Sequence, residues 1–395
     1  MAETIAREDL RSIAGSSRFP VHLLRTYGMV FALILVWGVF SVVTNGVFIE
    51  PRNLSNLIRQ TAVTGVLAVG MVMVIVTGEI DLSVGSLVGI SGMVAVWVQS
   101  SLHWGLVPSL LAGIVTGLLI GALQGALIAY GQVPSFIVTL GGLLAWRGAT
   151  KGISSGNTYP IEIHAFKSIG QSYLSTSGGI ALAAVLVAIV AWRVVRTNRA
   201  RGRSRLAAWG TGALGVRILG PALLVVMSVV VLGRYAGVPI PAVILLGIAL
   251  ACAFLMQHTT FGRYLYAIGG NSEAARLSGI NLRSHVLAAF SILGALSGVA
   301  GIIYTARVGS AGPDAGTLLE LDAIAACVIG GASLMGGRGT VFGACLGALF
   351  MSSLDNGMSL KNVPDFIQDI VKGGVLVTAV GLDVLGRRAR ASLNS

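Results

Sequence analysis

Two uncharged apolar runs, Gly65 to Val76 and Leu87 to Val98, flank a stretch that no simple membrane helix contains: Thr77-Gly78-Glu79-Ile80-Asp81-Leu82-Ser83-Val84-Gly85-Ser86. An ionised acid at bilayer depth costs roughly 2.5–3.5 kcal/mol even on a lenient insertion scale. Glycine and serine weaken a regular helix there. Broken backbone at that depth persists only where protein buries it or water reaches it. A chain that accepts both costs is expected to line a path, with Glu79, Asp81, Ser83 and Ser86 as gate or route residues. The alternative is local, with Asp81, Ser83 and Ser86 serving as caps of a helix start near the interface.

The rest of the composition agrees with a membrane setting. Hydrophobic residues make up 55% of the 395 and charged residues only 11%, against about 25% charged in soluble domains. The net charge of +12 does not indicate nucleic acid, because the arginines sit between apolar spans, where membrane orientation explains them. Cys252, Cys327 and Cys345 each lie inside an apolar run and read as small packing residues. Met29 to Val43 follow a polar, basic N-terminus without a small-residue cleavage site, so they read as an uncleaved first span.

A span needs roughly 20 apolar residues. On that rule spans are expected near 28–49, 58–77, 84–100, 105–130, 134–150, 178–195, 217–234, 239–257, 285–304, 321–337, 339–356 and 365–383. The glycine-rich stretch 321–347 also fits a re-entrant segment. The expected fold is therefore all-α, a polytopic transmembrane helical bundle of about 10–12 spans. Arg7, Arg11, Arg18 and Arg25 precede the first span and place the N-terminus inside. All arginines except Arg52, Arg59, Arg147, Arg234 and Arg307 then fall on the inner side, so both termini are expected to be cytoplasmic. The chain divides into a cytoplasmic segment 1–27, a transmembrane half 28–195, a basic connector 196–216, a second half 217–386 carrying the inner loop 258–284, and a tail 387–395.

A faint internal repeat links the halves. Glu79-Ile80-Asp81 recurs as Glu320-Leu321-Asp322, and Val133-Pro134-Ser135-Phe136-Ile137 as Val363-Pro364-Asp365-Phe366-Ile367, in the same order. The copies are an odd number of spans apart, which turns the second upside down. Inverted repeats of this kind occur in transporters, with the route at their interface. Ser135, Phe136, Glu320 and Asp322 join the candidate route residues on this basis; Asn356, within Ser353-Leu354-Asp355-Asn356-Gly357-Met358, is a further candidate route contact.

The loop 258–284 differs from all others. Asn271 or Ser272 suits an N-cap, Glu273 a first helical turn and Gly279 the position after the last turn. A helix of about five residues is too short to stand alone, so its own spans or a partner must hold it.

Gly269-Gly270-Asn271-Ser272-Glu273-Ala274-Ala275-Arg276-Leu277-Ser278-Gly279-Ile280, together with residues 79–86, resembles the membrane-subunit family of bacterial sugar ABC importers. Ile324-Ala325-Ala326-Cys327-Val328-Ile329-Gly330-Gly331 and Ser353-Leu354-Asp355-Asn356-Gly357-Met358 extend the resemblance over nearly the whole chain from residue 28. The length, the basic insertion near 196–216 and residues 133–140 look most like the xylose-type members. The resemblance implies two copies of this subunit in the inner membrane, two ATPase subunits and a periplasmic sugar-binding protein. It also implies that ATP and Mg are held by the ATPase and that this chain binds no cofactor. The family's coupling helix carries over to Glu273–Ile280, with Gly270, Asn271, Glu273, Ala274, Ala275, Arg276, Ser278 and Gly279 expected to couple to the ATPase. Shorter family members have about ten spans, so the stretch from the sixth to the eighth departs from the pattern.

No lysine follows a glycine with phosphate-loop spacing. No Ser/His/Asp set or metal-ligand cluster is evident, so the chain is not expected to be an enzyme. The other class left open is a proton-coupled secondary sugar transporter using Glu79 or Asp322.

Overall fold

The computed structural model describes residues 21–203 and 209–394. Residues 1–20, the middle of the connector at 204–208 and the last residue of the tail lie outside it. The chain is built of α1 (Val21–Val43), α2 (Pro51–Val76), α3 (Val84–Leu102), α4 (Leu106–Ala129), α5 (Ser135–Ser154), α6 (His164–Gln171), α7 (Thr176–Arg203) and α8 (Thr211–Gly233). There follow α9 (Ile240–His258), α10 (Thr260–Gly270), α11 (Ser272–Leu277), α12 (Leu282–Val308), α13 (Leu319–Ile329), α14 (Val341–Leu360) and α15 (Asp365–Asn394). The only sheet among the described residues pairs β1 (Tyr159–Pro160) with β2 (Ser310–Ala311). Helix dominates because a chain in lipid must satisfy its backbone within each segment. Proline at the first turn of α2 and immediately before α5 and α9 sets φ for entry without wasting a donor.

By length and composition α2, α3, α4, α7, α8, α9 and α12 are long and apolar enough to cross a membrane. With α1, α5, α14 and α15 they account for eleven of the twelve expected spans. The exception is the span at 321–337. There α13 has 11 residues, about 16 Å of helix, half of a hydrocarbon core. It stops because Gly331, Gly336 and Gly337 all take positive φ, from +70° to +90°, which helix cannot accommodate. Its start is equally abrupt: Leu318 sits at φ +65°, a conformation costing an L-residue roughly 1–2 kcal/mol. Residues 312–318 turn back from the end of α12 along α3, where Gly85 and Gly89 leave room for the carbonyls of Gly316 and Ala315. Thus α13 begins inside the bundle, and the break precedes the glycine-rich stretch that suggested it.

Helices α2 and α12 form the centre. Helix α12 packs on α2, α3 and α4, while α2 packs on α12, α13 and α14; α3 contacts α5 as α13 contacts α15. The same pattern therefore occurs twice, with α2–α5 matched to α12–α15, and each central helix is gripped by the other set. Helix α2 runs toward the end of the bundle that carries α11, whereas α12 starts there, so the two sets are inverted. This is the arrangement the paired motifs suggested. The crossing of α4 and α12 is close on both sides: a Cβ at Gly117 would overlap the carbonyl of Gly294, and one at Gly294 that of Gly117. Such glycine-spaced contacts are how helices associate in lipid, where burial of apolar surface gives no net drive.

Helices α7 and α8, which flank the basic connector, pack chiefly against each other. Within α8, Val216, Leu219, Leu223 and Leu224 are all exposed, the surface of a helix that faces lipid.

Candidate functional site

The acidic break lies between the end of α2 and the start of α3, and most of its polar groups are satisfied nearby. Asp81 is 1% exposed, and its Oδ1 accepts from the Ser83 amide at 2.7 Å and the Ser83 hydroxyl at 2.6 Å. The hydroxyl's single proton belongs to this charge-assisted bond, which leaves Ser83 Oγ to accept from Gln124 Nε2 at 3.0 Å. Asp81 Oδ2 has no hydrogen-bond partner among the described residues. Ser86 donates to the Leu143 carbonyl at 2.8 Å, and Ser135 and Thr139 reach the Ile80 backbone at 3.5 and 3.4 Å. The break is thereby tied to α4 and to the first turns of α5.

Glu79 is placed differently. It is half-buried and lines a cavity of about 940 Å3 together with Ser135, Asn271, Arg276, Asn281 and Arg283. This cavity opens at the end of the bundle that carries α11. Phe136, one residue beyond Ser135, is 52% exposed and turned outward.

The second acidic motif occupies the first turn of α13, where the helix dipole favours carboxylates. Glu320 is 3.8 Å from Arg147 on α5, and the bare backbone of Gly85 makes space for it. Asp322 is 3.4 Å from Lys372 on α15, which also holds Asp355 of α14 at 2.9 Å. The two aspartates sit in comparable places: Asp81 is linked through Ser83 to α4, and Asp322 directly to α15 and through Lys372 to α14. Of the arginines available to pair with membrane acids, Arg147 does so; Arg307 lies over the Tyr304 ring.

Asn356 is away from both motifs. It exchanges hydrogen bonds with Asn53 at 2.8 and 3.1 Å, both residues buried, and so joins α14 to the start of α2. Truncating Asn356 to alanine is expected to cost about 1–3 kcal/mol, since the Asn53 amide stays buried without its partner. The check is the thermal midpoint of the purified protein. The Asn53→Ala/Asn356→Ala pair should cost less than the sum of the single changes.

Helix α11 matches the sequence expectation closely. The Asn271 side chain accepts from the Ala274 amide at 2.9 Å, so Asn271 is the N-cap. Gly279 follows the last turn at φ +82°. Glu273 and Arg276 pair at 2.7 Å, and the guanidinium holds the Glu273 carboxyl below the usual carboxylate range. Only Ala275 of the six helical residues is buried, and Leu277 is 77% exposed. Ahead of it, where the sequence suggests a loop, the chain forms the amphipathic helix α10, whose Leu265 and Ile268 are buried.

Gln124, Lys372 and Asp355 were missed as partners. Gln124 is the single amide within the apolar α4, a signal that was available. Lys372 and Asp355 are charges inside long apolar stretches and were equally visible as unexplained costs.

A bundle with two matched, inverted sets of helices, a helix broken at acidic residues in each, and a bare capped helix at one end defines a membrane permease. The chain belongs to the family described as branched-chain amino acid transport system / permease component, whose model matches residues 53–200 and 207–380. It is 47% identical over 372 residues to the xylose transport system permease protein XylH of Escherichia coli K12, covering 92% of this chain and 93% of that protein. It is 44% identical to XylH of Haemophilus influenzae over 92% of this chain and 97% of that protein. It is 34% identical to the ribose import permease protein RbsC of Escherichia coli K12, over 94% and 98%. No solved structure matches the chain. These relatives bear out the sugar-importer resemblance: this is a multi-span sugar ABC permease of the xylose and ribose type, and its relatives are transport subunits rather than enzymes.

Proposed function

We propose that this chain is the membrane subunit of an ATP-driven importer that moves a monosaccharide, D-xylose, from periplasm to cytoplasm by alternating access. A homodimer in the inner membrane, with all termini cytoplasmic, receives sugar from a periplasmic binding protein. ATP and Mg are bound by a separate ATPase docked on α11. The observation that carries this reading is the exposure of α11: a six-residue helix, capped at both ends, that buries one side chain. So short a helix gains little stability by itself, and its outward face, including Leu277, has the character of a contact surface awaiting a partner.

The xylose assignment draws on the names of the XylH relatives. The acids do not serve as counter-ions to a neutral sugar. Asp81, Glu320 and Asp322 have partners that favour a hinge or brace, and Glu79 and Ser135 on the cavity wall are the route contacts.

The test is co-expression with a neighbouring ATPase and binding protein, followed by reconstitution into vesicles. Xylose uptake should require ATP and the binding protein, and xylose should stimulate ATP turnover. Uptake that persists without nucleotide and collapses with the proton gradient would instead identify a secondary transporter.

A further inference from the structure

Three segments remote in sequence meet behind α11: the end of α2 at Val76–Gly78, the end of α10 at Gly269–Gly270, and the loop after α13 at Gly336–Gly337. They meet backbone to backbone. The Gly337 amide donates to the Val76 carbonyl at 2.8 Å. A Cβ at Gly269 would overlap that same carbonyl and stand 2.6 Å from the Gly337 nitrogen. A Cβ at Gly336 would stand 2.8 Å from the Gly269 carbonyl and 3.0 Å from the Gly78 nitrogen. Gly336 and Gly337 are at φ +83° and +70°. A second bond braces the contact, from the Tyr266 hydroxyl on α10 to the Gly339 carbonyl at 2.7 Å. Gly270 also abuts the loop, its Cα 3.0 Å from the Cβ position of Gly337, but its own Cβ position has nothing within 4 Å, so the side-chain space that the contact closes is that of Gly269.

What each segment leads to gives the contact its meaning. Asn271, the cap of α11, is two residues beyond Gly269. Val76 is the last residue of α2 before the break that carries Glu79 and Asp81. The loop 330–340 is bound to the end of α13 through Gly331 and Ala332, whose amides donate to Val328 and Cys327, each at 2.9 Å. Interlocked side chains can absorb a displacement by changing rotamer. Abutting main chain cannot, and close-packed elements pass movement on as rigid bodies.

We infer that Gly269, Gly336 and Gly337 are positioning residues that pass movement of α11 simultaneously to both discontinuous elements, the acidic break before α3 and the half-helix α13. One docking helix thereby acts on both inverted sets, although it is continuous in sequence with only one of them. This rests on reading α11 as the ATPase-docking helix.

The experiment uses the complete complex of this chain, its ATPase and its binding protein in vesicles, with basal and xylose-stimulated ATP turnover measured beside uptake. Gly269→Ala should still copurify with the ATPase and keep its basal turnover, but its stimulated-to-basal ratio should fall by about tenfold, and uptake with it. Gly247→Ala, at an open position on α9, should leave both unchanged. Tyr266→Phe removes the brace without adding bulk and should lower the ratio by about threefold. A wild-type ratio in Gly269→Ala overturns the inference, as does an equal loss in Gly247→Ala. Should Gly269→Ala fail to assemble, an unchanged ratio in Tyr266→Phe overturns it. Absence of stimulation in the wild-type complex sinks the docking reading first and this inference with it; stimulation there, with an unaffected Gly269→Ala, sinks the inference alone.

Discussion

Glu273→Lys is expected to reduce xylose-stimulated ATP turnover of the assembled complex by about tenfold or more, within the span of coupling free energies between distant sites. Insertion and folding should be unaffected. Glu273 and Arg276 are both exposed and bonded to each other, so no buried group loses its partner. What changes is the surface that α11 offers: a balanced pair becomes two like charges one turn apart, next to an exposed Leu277. Lysine in the first turn also opposes the helix dipole in an element too short to tolerate it. Glu273→Gln, which removes charge without reversing it, should fall between. The pH profile supplies an independent check. Because Arg276 lowers the Glu273 carboxyl below its ordinary value of 4.5, the pair is intact above that value and is lost as pH falls through the lowered one. Coupling through α11 should therefore be flat between about pH 6 and 8. Normal coupled turnover in Glu273→Lys would end the assignment of α11.

Lys372→Met is expected to destabilise the bundle by about 3–5 kcal/mol, the cost of leaving a buried ion without its partner. Lys372 serves two carboxylates, Asp322 at 3.4 Å and Asp355 at 2.9 Å, and it joins α13, α14 and α15. Without it, two acids face one another beside the half-helix. The measurement is the thermal midpoint in detergent with the yield of inserted protein. Neutralising one acid as well, in Asp322→Asn/Lys372→Met, should recover part of the loss, since an ion pair replaced as a unit costs far less than one that is broken. Asp322→Asn alone bears on mechanism. ATP-driven uptake should persist in that variant if the residue is a brace, whereas a proton-carrying role requires that uptake be lost.

The repeat was legible because its motifs are short, contiguous and in the same order, and its inversion followed from counting spans between copies. The candidate route residues were a harder matter. Hydropathy marks Glu79, Asp81, Glu320 and Asp322 as costly, but a cost alone cannot say what relieves it. In the folded chain the relief differs at each: Ser83 and through it Gln124 for Asp81, Arg147 for Glu320, Lys372 for Asp322, and the cavity wall for Glu79. Asn356, grouped with them by sequence, turns out to hold Asn53.

The sequence alone determined that this chain is a helical membrane bundle, the neighbourhood of eleven of its long helices, and that a capped helix follows Gly270. These are local properties: apolar run length, proline at entries, asparagine and glycine at the two ends of α11. Tertiary structure decided that α13 is only half a span, that both broken elements meet α10 at one glycine contact, and which charge neutralises which. Those outcomes depend on backbone conformation at Leu318 and Gly331–Gly337 and on contacts between residues far apart in the chain, which no local period records.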